Sequence, residues 1–141
     1  MAGDEPMLRD LRHDDHYQVV DPDTPLPKIA GLFAKKPNDA ILVYNRKDDL
    51  FLGVVYLYDF HKAYGQPPKG VSVIHKATVK EIANPNIASI NWNSNISQAW
   101  ALVNKLKPKA LLLHDDDNEF AGFFSNEDMW AGMETIGKKV V

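Results

Sequence analysis

Two stretches of the chain repeat one spacing of apolar residues. Leu26, Ile29, Ala30 and Phe33 fall at i, i+3, i+4 and i+7, and Ile96, Ala99, Trp100 and Val103 take the same four places seventy residues later. That spacing predicts two helices, each with one buried stripe. A polar segment precedes each stripe, Asp21 to Leu26 (DPDTPL) and Asn91 to Ile96 (NWNSNI). Thr24 and Ser94 offer hydroxyls that can cap the helices, and Pro25 suits a first helical position, where no N–H is needed.

Behind each helix, a proline-containing link (36–39 or 107–109) leads into a run that is apolar throughout, residues 40–44 and 110–113. Such runs predict strands buried on both faces. Polar turns follow at 45–49 and 115–119, then second strands at 51–55 and 120–124 that carry Gly53 and Gly122 at the equivalent place. Asp59 and Asp128 are predicted on the opening turn of a further short helix. Upstream, Leu8 to Leu11 (LRDL) and Val79 to Ile82 (VKEI) share the order apolar, basic, acidic, apolar, and read as matching lead-in segments. The stretch 64–77, with Gly65, Pro67, Pro68 and Gly70, reads as a connection. The pattern predicts a duplicated βαββα unit, a mixed α/β (α+β) fold, with repeats at 7–64 and 77–133 and a linker at 65–76.

Composition narrows the function classes. The 141 residues carry 16 Lys and Arg against 19 Asp and Glu, a formal charge of −3 without a basic stripe, so nucleic acid is not an expected partner. With no cysteine there is neither disulfide nor thiolate chemistry. The acidic start lacks the apolar core of a signal peptide, and the longest apolar run, 50–58, is too short to span a bilayer. A cytoplasmic protein without membrane partners is expected.

A strand ending in Gly and two apolar residues, then a small hydroxyl residue, two variable positions and Asp, resembles the signature of the cystathionine-β-synthase-type (CBS) domain. Gly122, Phe123, Phe124, Ser125 and Asp128 match it throughout; Gly53 to Asp59 match except that Tyr56 replaces the hydroxyl residue. The lead-in segments and the DPDTPL helix start resemble other family motifs. The resemblance implies a tandem pair (a Bateman module), two repeats packed sheet to sheet with pseudo-two-fold symmetry, and frequent assembly as homodimers. It further implies a regulatory role: AMP, ADP, ATP or S-adenosylmethionine bound in a cleft between the repeats, the signature Asp on the ribose hydroxyls and the hydroxyl residue near phosphate. Carried over, the ligand-binding positions are Ser125, Asp128, Asp59, Leu112 and Phe124. No other cofactor is expected, and the regulated protein is unknown. The chain departs from the family at Leu42 and Leu112, where a proline near the base is usual.

Each feature has a second reading. Ser125 and Asp128 also form nearly a capping box, and the ring of Tyr56 could fill the place of a ligand. A ligand-free dimerisation or protein-interaction module is therefore the alternative function. His13, Asp14, Asp15 and His16 have metal-ligand chemistry, which would make a metal-dependent enzyme a third possibility. Neighbours in sequence converge poorly on one ion, however, and a solvated loop is the preferred reading. Asp115, Asp116, Asp117 and Asn118 lack the Gly and distal Glu of a calcium loop and suit a strand–strand turn. Trp100 is expected in the core, whereas Tyr58, Phe60 and Trp130 are expected on a dimer surface. No nucleophile–base pair or phosphate loop is visible, so catalysis is not expected.

Overall fold

The computed structural model describes residues 7–10, 17–66 and 76–124. The first repeat runs β1 (Tyr17–Val20), α1 (Leu26–Lys35), β2 (Ala40–Asn45), β3 (Leu50–Val55) and α2 (Leu57–Gly65). The second runs β4 (Ile87–Asn91), α3 (Ile96–Leu106), β5 (Ala110–His114) and β6 (Phe120–Phe124). The fold is mixed α+β with two three-stranded sheets, ordered β1-β2-β3 and β4-β5-β6.

Both sheets have one plan. The outer strand runs parallel to the central one, joined through a helix, and the third strand returns antiparallel after a tight turn. The predicted stripes are what the helices bury: Leu26, Ile29 and Phe33 on α1, Ile96 and Ala99 on α3. They pack on Ile41, Val43 and Val55 in one unit and on Leu111, Leu113 and Phe124 in the other. Each of these side chains other than Ala99 contributes about 1.5–3 kcal/mol when fully buried. Leu42 and Leu112 alternate onto the opposite faces and are buried too, as their unbroken apolar runs predicted. Trp100 is half-buried against its core.

The helix starts differ from expectation by one residue. Asn95 caps α3: its side chain accepts from the Gln98 N–H at 2.9 Å, while Gln98 Oε1 accepts from the Asn95 N–H at 2.8 Å. Pro25 takes the capping position of α1 with no side-chain bond, and Thr24 donates instead to the Asp21 carbonyl at 2.7 Å. Asp21 and Asn91 do equal work in the two repeats, each accepting on its side chain from the N–H two residues on, at 2.9 and 2.8 Å.

Two compact units result, and they are not the two sequence repeats cut in order. One unit takes in residues 7–10 with 87–124; the other comprises 17–66 with 76–86. The lead-in of each repeat thus docks on the other repeat's helix start. Leu8 N–H donates to the Ser94 carbonyl (2.8 Å) and Arg9 N–H to that of Trp92 (2.8 Å). Val79 N–H donates to the Thr24 carbonyl (2.9 Å) and Lys80 N–H to that of Pro22 (3.2 Å). Lys80 Nζ also meets Asp23 Oδ1 at 2.8 Å, and that bond holds the Asp23 carboxyl below its ordinary range and the Lys80 ammonium above its own. Both side chains are exposed, so the pair aligns the segment more than it stabilises it.

Candidate functional site

The registers bring several strand ends of the first unit to one edge. Tyr17 pairs with Ala40 at the start of β1 and β2, and Ile41 pairs with Val55 at the end of β3. The start of the central strand and the start of α2 therefore share one end of the sheet. Leu57 begins α2 there, and Asp59 sits on its opening turn. An Asp at the third helical position is favoured because its carboxylate satisfies a backbone donor and the helix dipole. Asp59 does so, Oδ2 accepting from the Tyr56 N–H at 3.0 Å.

Tyr56 fills the place where the other repeat has Ser125. Its ring is half-buried, and burial, with the Asp59 charge adding to it, pushes the phenol up to about 12. The sign follows from linkage. Above the unfolded value near 10, the unfolded chain releases a proton that the folded chain keeps, so the stability present below pH 10 is lost between about 10 and 12. Wild type is expected to lose on the order of 2 kcal/mol more than Tyr56→Phe over that window. Urea unfolding of both proteins at pH 9 and 11.5 checks this, and parallel slopes would refute a buried phenol.

In the second unit Leu112 stands across from Ser89 and Phe123, as Leu42 stands across from Val19 and Val54. Phe124 pairs with Leu111 and lies in the core cluster with Leu8, Ile96, Ala99 and Leu113. Leu112 and Phe124 thus point to opposite faces of one sheet. Ser125 and Asp128 lie outside the described residues, as do His13 to His16 and Trp130.

The Asp115 turn works as a turn. Asp115 Oδ1 accepts from the N–H groups of Asp117 (2.9 Å) and Glu119 (3.0 Å), and Asn118 takes the left-handed conformation at φ 63°. Among the described residues, no group of His, Asp or Glu is placed to hold a metal ion. On α2, Tyr58 is 74% exposed, as a surface aromatic should be. Phe60 is not on the surface: it is buried and packs with a tilted ring against Phe33, ring centroids 5.6 Å apart, because its helical phase turns it toward α1. Two features had no signal in the sequence. Asp39, inside a polar link, is buried and takes a 3.3 Å bond from Gln18 Nε2, and the Asp23–Lys80 pair joins residues far apart in the chain.

Residues 8–65 match the family model of the CBS domain. No curated protein sequence matches the chain. Among solved structures, CBSX2 in complex with AMP is similar at 20% identity over 93% of this chain and 98% of that one, with a TM-score of 0.70. A hemolysin-like protein containing a CBS domain from Oenococcus oeni PSU shares 17% identity over 92% and 90% of the two chains, with a TM-score of 0.73. The CBS domain of the bacterial CNNM/CorC family Mg2+ transporter in complex with ATP shares 15% identity over 94% and 85%, with a TM-score of 0.66. At these identities the likeness is one of fold. No helix among the described residues is long and apolar enough to cross a membrane.

Proposed function

We propose, from the match of residues 8–65 to the CBS-domain model, that the chain is a cytoplasmic, non-catalytic regulatory module of the CBS family. In this reading it senses an adenosine-containing ligand of the AMP, ADP, ATP or S-adenosylmethionine type and passes its occupancy to a partner protein. The observation that carries the reading is the strand-to-helix junction at the end of β3, which sets Asp59 on the opening turn of α2. The sequence of the second repeat carries the same junction with the hydroxyl residue in place, Ser125 and Asp128. A carboxylate there accepts from both hydroxyls of a ribose, and free N–H groups at a helix start favour phosphate. The AMP and ATP held by two structures of like fold support the ligand class. Binding would act by shifting a conformational population that the partner reads. Association with a second copy belongs to the same reading, and exposed Tyr58 supports it.

A thermal-shift screen of adenosine, AMP, ADP, ATP and S-adenosylmethionine tests the proposal. A ligand at 100 times its dissociation constant is expected to add about 2.7 kcal/mol, a shift of several degrees. Asp128→Ala is expected to remove most of it. A flat screen at millimolar ligand would defeat the sensor reading in favour of a ligand-free interaction module. Two observations favour that second reading: Asp59 already holds the Tyr56 N–H, and Leu42 is fully buried where the family's base-side proline is usual.

A further inference from the structure

We draw no further inference here: the strongest candidate, the exposed aromatic surface of α2 formed by Tyr58 and Tyr64, belongs to the association with a second copy already proposed, and nothing in the structure shows what covers it.

Discussion

Gly53→Ala is expected to cost about 3 kcal/mol of unfolding free energy, more than an ordinary small-to-large change, because the new methyl has nowhere to go. A Cβ at Gly53 would stand 2.5 Å from the Asn84 carbonyl oxygen, 2.9 Å from its carbon and 3.1 Å from the Ala83 methyl. The first two are backbone atoms, and that backbone is tied down. Val54 N–H donates to the Asn84 carbonyl at 3.0 Å, and Asn84 N–H donates back to the Val54 carbonyl at 2.9 Å. Relief therefore means giving up two hydrogen bonds along the open edge of β3. Gly122, at the same place in the other repeat, is a built-in comparison. A Cβ there meets only Leu113 Cδ1 at 4.0 Å, but φ is +156°, where side chains are strained. Gly122→Ala should cost about 1 kcal/mol through backbone conformation alone. Urea unfolding gives the two losses, and amide exchange at Val54 and Asn84 gives the cause. A loss below about 1 kcal/mol in Gly53→Ala, with both amides still protected, would mean that the 82–84 segment yields freely.

The paired glycines show what the sequence made legible. Both were visible as repeat-equivalent residues, and so were the stripes Leu26–Ile29–Phe33 and Ile96–Ala99, the apolar central strands and the Asp115 turn. These follow from spacing and from local side-chain-to-backbone chemistry, which a linear reading can follow. The reason for each glycine was not visible, because close approach at Gly53 depends on a segment that arrives from the lead-in of the other repeat. The caps moved by one residue since Ser and Asn serve equally well, so composition cannot choose between Ser94 and Asn95. Phe60 was expected at the surface beside Tyr58; only the packing of α2 on α1 separates the two.

The candidate site divides in the same way. Asp59 at the start of α2 was readable from the signature, and the bond that it makes to the Tyr56 N–H is the local capping geometry that such a position offers. Buried Asp39 was not readable, because its partner Gln18 lies 21 residues away across a parallel strand pair that is joined through α1.

Leu8→Ala is expected to cost about 3 kcal/mol, and the loss is expected to fall on a unit nearly ninety residues away in sequence. Leu8 is fully buried and packs in the cluster of Ile96, Ala99, Leu111, Leu113 and Phe124. Truncating it removes packed methyl groups and leaves a cavity under the start of α3, where Leu8 and Arg9 also tie the backbone through the Ser94 and Trp92 carbonyls. Amide exchange should therefore speed up across β4, β5 and β6 before it does so in β1 to β3. Val79→Ala is the mirror experiment, loosening the unit of α1 and β1 to β3, whose core holds Val79. Loosening of β1 to β3 by Leu8→Ala would contradict the exchanged docking. The exchange also decides how the chain can be divided. A fragment of residues 77–133 follows the sequence repeat but omits Leu8, so it should be less stable than the same residues supplied with the 7–10 segment. A binding event on residues 7–10 would thus act on the stability of the second repeat's sheet rather than the first.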